Sequence, residues 1–260
     1  MTIYRRAKRR AINWFECFDL AYRLSLRLRE GGTGPHDYPD ASWHNAVLKR
    51  SSDIDEAVNQ VQQLGLPLVA DRPKNWDSLA ALDLILKRTG PDAHVFDAGG
   101  EYYSRILPWL FMYGYEHLSA GNLVFKRPVK KGPILYHYAD ITRTGMDGES
   151  LDVVTCLSVI EHGVDLRSYF KEMARILKPG GFLITSTDYF DRKIETNGQM
   201  AYGVPVHIFS RQEIAEALQL AAEFGLNLTG PLDLKAEEKV VHWEGYGLDY
   251  TFLIFSLQKG

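Results

Sequence analysis

Leu151 to Leu157 is a run of seven residues, LDVVTCL, that is apolar but for Asp152 and Thr155. A helical pattern follows from Leu166 to Leu177, then the turn Lys178-Pro179-Gly180-Gly181, then a second apolar run from Gly181 to Thr187. A strand without polar alternation is buried on both faces, and a helix between two such strands is a parallel crossover unit. This block constrains the fold more than any other feature. It calls for an open parallel sheet with helices on both sides.

The same rhythm extends in both directions. Further strands are expected at His94–Ala98, Glu116–Ala120, Ile134–Ala139, Leu226–Gly230 and Tyr250–Leu257, with helices over Ser104–Tyr113 and Arg211–Phe224. The chain therefore reads as α/β, a seven-stranded, mostly parallel, doubly wound sheet. Three helices precede it. One spans about Tyr4 to Arg29, with a broad apolar face and a basic start at Arg5, Arg6, Lys8, Arg9 and Arg10. That pattern suits packing on its own domain or a partner subunit, and equally an anionic membrane surface. The others are Asp53–Leu64, with Asp53 and Glu56 as a capping pair, and Trp76–Arg88. Thr89-Gly90-Pro91 suggests a boundary between an N-terminal helical extension, residues 1–90, and an α/β domain, residues 91–260.

A formal charge of -3 gives no general attraction to nucleic acid. Cys17 and Cys156, each in an apolar run, read as buried thiols of a reducing compartment. Metal-ligand spacings such as CxxC or HExxH do not occur. The apolar stretch after the basic start is interrupted by Glu16, Asp19 and Arg23, so neither a signal peptide nor a membrane span is expected, and the expected location is the cytoplasm.

Ligands of open parallel sheets bind beyond the carboxyl ends of strands, so residues just after strands are the site candidates. LDVV, SVIEH and RILKPGGFLITS, in that order, resemble class I S-adenosylmethionine-dependent methyltransferases. The likeness covers roughly His94 to Lys259 and is specific in Ser150–Thr187. It implies S-adenosyl-L-methionine as cofactor, and an in-line methyl transfer to oxygen or nitrogen of a small molecule or glycan intermediate.

By that resemblance Asp97, Gly99 and Gly100 would form the cofactor turn, with Glu101 where the family has a second glycine. Asn122 would stand in for the acidic ribose ligand, because Gly121 occupies its place. Asp140 would accept from the adenine amine beside Ile141, and Ser158 and Ile160 would floor the site. His162 and His207 are the candidate general bases; each could instead be structural. Asp188, the loop 190–203 and His242-Trp243-Glu244-Gly245-Tyr246 could face the acceptor, the last equally serving as a hairpin over the sheet edge. Glu101 and Gly121 leave a second reading open, a noncatalytic binding or assembly protein of the same fold. A homo-oligomer is compatible with either.

Overall fold

The computed structural model describes residues 15–201 and 203–260. The basic start, Arg5 to Arg10, and the first part of the first expected helix lie outside the described residues. The chain begins with α1 (Asp19–Glu30), β1 (Ala46–Val47), α2 (Ser51–Gln63) and α3 (Lys74–Arg88). It then runs through β2 (Val95–Ala98), α4 (Ile106–Met112), β3 (Leu118–Gly121), β4 (Val129–Lys131) and β5 (Ile134–His137). Next come β6 (Leu151–Leu157), α5 (Leu166–Ile176), β7 (Leu177–Phe190), β8 (Met200–Ala201), β9 (Val204–Pro205) and β10 (Phe209–Ser210). The chain closes with α6 (Arg211–Glu223), β11 (Leu226–Leu228), β12 (Val241–Trp243) and β13 (Leu248–Lys259).

The main sheet runs β1-β13-β7-β6-β2-β3-β5-β4, and β11 and β12 also pair with β13. β2, β3, β5, β6 and β7 are parallel, whereas β13 enters antiparallel against β7. The expected doubly wound α/β fold is therefore present, with the last strand reversed. Alternate residues explain the two layers. Val95, Val153 and Ile184 face α2, α3 and α4, while Phe96, Val154 and Leu183 face α5 and α6.

Local signals set the helix ends. Asp53 is not a first cap paired with Glu56: α2 starts earlier, and the Asp53 carboxylate accepts from the Arg50 backbone amide at 3.0 Å. Pro108 falls in the first turn of α4, where a missing amide costs little. α6 has a complete capping box: Ser210 Oγ accepts from Glu213 N, and Glu213 accepts from Ser210 N at 2.8 Å. Cys156 is buried as expected, but Cys17 is only half-buried.

Residues 15–90 are joined to the sheet. β1 pairs antiparallel with β13, Ala46 opposite Ile254. α3 is almost wholly buried, and Trp76, Leu79 and Leu82 enter the same core as Val95 and Val153. The described helices are too short or too polar to cross a membrane.

Candidate functional site

Strand order reverses between β2 and β6, and their carboxyl ends open onto a cavity of about 750 Å³. Its floor is built by the turn after β2. Gly99 has a φ of 84°, and a Cβ there would lie 2.5 Å from Val159. A Cβ on Gly100 would lie 2.1 Å from the Asp97 carboxylate. Only glycine fits either place. Asp97 itself is buried and holds the turn from below, accepting from Thr155 Oγ1 and Ser104 Oγ, each at 2.8 Å. Burial outweighs those two donors and pushes its pKa up to about 6.

Glu101 lines the cavity wall and Tyr103 stands beside it. Tyr102 turns away, into an aromatic cluster with Phe125 and Tyr136 at 5.0 and 4.8 Å between ring centres. The protein's own ring therefore does not plug the hollow.

Ser158 lines the cavity after β6 with a φ of 54°, a left-handed conformation that is costly for a non-glycine residue. Its amide is locked there by the Ser186 carbonyl at 3.0 Å and Ser186 Oγ at 3.1 Å. His162 also lines the wall. Burial, then the nearby Lys74 cation, lower its pKa, so the imidazole is neutral at physiological pH.

The opposite wall comes from the start of α3. Lys74 donates to Ser158 Oγ, and its Nζ sits 3.4 Å from the centre of the Phe252 ring and 4.0 Å from Asp77 Oδ2. Asp77 is fully buried and accepts from Ser186 Oγ at 2.6 Å. Glu161 and Asp188 complete a buried acidic group around this lysine. Thr187 Oγ1 donates to Glu161 at 3.1 Å, and the Tyr250 hydroxyl to Asp188. Desolvation raises the pKa of all three carboxyls, and Asp188 raises Glu161 further. Such buried acids at a cavity wall retain protons where exposed ones lose them.

The remaining expected residues take other places. The Asn122 amide donates to the Gly99 carbonyl at 2.6 Å, and its oxygen accepts from Val124 N, so it clamps the turn instead of facing the cavity. Gly121 lacks a carboxylate because a Cβ there would meet Ala139 at 2.6 Å and Phe96 at 2.7 Å. Asp140 Oδ1 accepts from both Thr142 N and Thr142 Oγ1, at 2.9 and 2.7 Å, a local turn. Asp140 and the buried Ile141 do not line the cavity. Ile160 and His207 line a different cleft, beside α6, and His207 lies 3.4 Å from the capping Glu213. The structure thus gathers Asp97, Gly99, Gly100, Glu101, Ser158 and His162, and separates Asn122, Asp140, Ile141, Ile160 and His207 from them.

Lys74 and Asp77 were not among the sequence candidates. The available signal was a lysine and an aspartate one helical turn apart at the start of a helix whose middle, Leu79 to Leu86, is apolar but for Asp83. The aromatic C-terminal segment forms the hairpin and also reaches the cavity. β12 pairs with β13 as a hairpin, and Val241, His242 and Trp243 line the cavity.

Residues 116–185 match a family described as a methyltransferase domain. No curated protein sequence matches the chain. Among solved structures, an S-adenosylmethionine-dependent methyltransferase from Mesorhizobium loti aligns with a TM-score of 0.52 and 16% identity, over 70% of this chain and 98% of that one. A geranyl diphosphate C-methyltransferase from Streptomyces coelicolor A3(2), in complex with Mg2+, geranyl diphosphate and S-adenosyl-L-homocysteine, aligns with a TM-score of 0.52 and 14% identity, over 92% and 98%. A 1,6-didemethyltoxoflavin-N1-methyltransferase from Burkholderia thailandensis, with S-adenosylhomocysteine bound, aligns with a TM-score of 0.51 and 18% identity, over 86% and 93%. At these identities the likeness establishes the fold.

Proposed function

The chain has the class I S-adenosylmethionine-dependent methyltransferase fold, and from that premise we propose that it transfers a methyl group to an oxygen or nitrogen of a small molecule, a sugar included. The observation carrying this reading is the cavity over the β2–β6 switch, with a glycine-only floor and a neutral histidine in its wall. Its volume of about 750 Å³ lies at the upper part of the range of roughly 300–1,000 Å³ for ligand sites. That leaves room for a nucleoside cofactor and a modest acceptor together.

The residues present fit the cofactor. Gly99 and Gly100 bare the backbone toward the cavity, and Ser158 adds a polar lip. Glu101 is the carboxylate left to accept ribose hydroxyls, replacing the acid that packing forbids at Gly121. S-adenosylmethionine, when bound, supplies an electrophilic methyl group. The protein's part is positioning, water exclusion and proton transfer.

His162 takes the acceptor's proton, since its imidazole is kept neutral by burial and by Lys74. Lys74 in turn is held by Asp77, Ser158 and Phe252. Trp243, 4.2 Å from Tyr246 between ring centres, offers a flat face on which a sugar or heteroaromatic ring can stack.

Asn122, bound to the Gly99 carbonyl, and Asp140, engaged in its own turn, favour the second reading, a binding protein without catalysis. Calorimetric titration with S-adenosylhomocysteine separates the two. We expect micromolar binding, weakened by roughly tenfold or more in Glu101→Ala through loss of charge-assisted hydrogen bonds. Absence of heat at millimolar ligand would leave only the second reading.

A further inference from the structure

α3 starts against its own electrostatics. Lys74 is its first residue, where the helix dipole disfavours a cation, and its side chain is only 20% exposed. What holds it is a closed polar ring between α3 and the neighbouring parts of β6 and β7. Lys74 Nζ donates to Ser158 Oγ, and the Ser158 amide donates to Ser186 Oγ at 3.1 Å. Ser186 Oγ donates in turn to Asp77 Oδ2 at 2.6 Å, and that oxygen lies 4.0 Å from Lys74 Nζ. Asp77 and Ser186 are wholly buried, so these bonds are made away from bulk water.

The ring closes on a strained residue. Ser158 has a φ of 54°, which an L side chain resists and which persists only where the surroundings over-determine it. Here the hydroxyl is held by Lys74, and the amide by Ser186 Oγ and by the Ser186 carbonyl at 3.0 Å. The next residue, Val159, lies against Gly99, where a Cβ would come within 2.5 Å of it. The left-handed turn at Ser158 therefore sets how the chain after β6 meets the glycine turn after β2. All three residues line the cavity. Apolar side chains could anchor α3 as well as an ion pair does. They could not orient a hydroxyl and an amide.

We propose that Lys74 and Asp77 are positioning residues of the cofactor site: through Ser158 and Ser186 they hold the turn after β6 in the left-handed form that shapes the cavity floor. The effect on binding rests on the cofactor reading. The effect on the turn rests on the ring alone.

Amide exchange followed by NMR on the ligand-free full chain tests the turn. Lys74→Met keeps apolar bulk over Phe252 but cannot donate to Ser158. Ser186→Ala cuts the ring from the other side and leaves Lys74 and Asp77 in place. Each should speed exchange of the Ser158 amide by roughly tenfold or more, with the Val154 and Ile184 amides inside the sheet unchanged. A mutant cycle tests binding. Lys74→Met should weaken S-adenosylhomocysteine by roughly tenfold in calorimetry. In a Ser158→Gly background, where the left-handed turn needs no support, the same change should cost less than about threefold. Unchanged exchange at Ser158 in both variants overturns the proposal, as does a Lys74→Met penalty that persists in full beside Ser158→Gly. A native chain that takes up no ligand would end the cofactor reading instead, and the exchange result would still decide this one.

Discussion

His162 and Glu101 carry the residue-scale claims. Replacing His162 by Gln keeps a polar side chain but removes the proposed base. We expect kcat to fall by about 10²–10⁴-fold with little change in cofactor affinity, read by steady-state kinetics beside calorimetry. The acid limb of the native kcat profile should lie below the ordinary histidine range, since burial and Lys74 both disfavour the imidazolium. Asp97 gives a stability signature of opposite kind to most carboxylates. Its folded pKa, about 6, exceeds the unfolded value of 3.8, so its protonated form is favoured by folding. That contribution is complete below the unfolded value and is lost as pH rises through about 6. Asp97→Asn should therefore flatten the dependence of Tm on pH across that window, as thermal melts would show. Of the site itself, the sequence reading reached Asp97, Gly99, Gly100, Glu101, Ser158 and His162, because periodicity makes the strands visible and the family resemblance points to the residues at or just beyond their carboxyl ends. It could not place Asn122 or Asp140, whose side chains turn to backbone and hydroxyl partners a few residues or one strand away. Such competition between local and ligand hydrogen bonds leaves no trace in spacing.

Among the elements, strands buried on both faces were the easiest to read and the irregular edges the hardest. β6 has the bounds its apolar run suggested, Leu151–Leu157. β7 is longer than Gly181–Thr187: Leu151 pairs with Leu177 and Val153 with Phe182, so the Lys-Pro-Gly-Gly turn bulges from a continuing ladder. β1, β4 and β12 are two or three residues long, too short for any pattern to declare them. The capping box of α6 was legible only as a helix start. Ser210→Ala should cost about 1 kcal/mol in chemical denaturation, with the m-value unchanged. Phe255 on β13 is fully buried between layers, and Phe255→Ala should cost about 3–5 kcal/mol by the same measurement.

For the molecule as a whole, the relation of the first ninety residues to the sheet was the least legible part. Helical periodicity showed α2 and α3, but nothing local announced that α3 would bring Lys74 and Asp77 to the cavity or that β1 would join β13. A fragment of residues 91–260 would uncover the core face under α3 and leave β13 without β1. We expect it to bind a hydrophobic dye, to lose a sharp thermal transition, and to show no methyl transfer. The same architecture fixes when function can first exist. Cavity walls come from residues 69–78 and 240–252, with every other part of the ring laid down between them. While the chain is still being synthesised, Lys74 has no Phe252 to rest on and Asp188 no Tyr250 to hold it. Until Leu248–Lys259 emerges, β1, β11 and β12 have no strand to pair with and one wall of the cavity is missing.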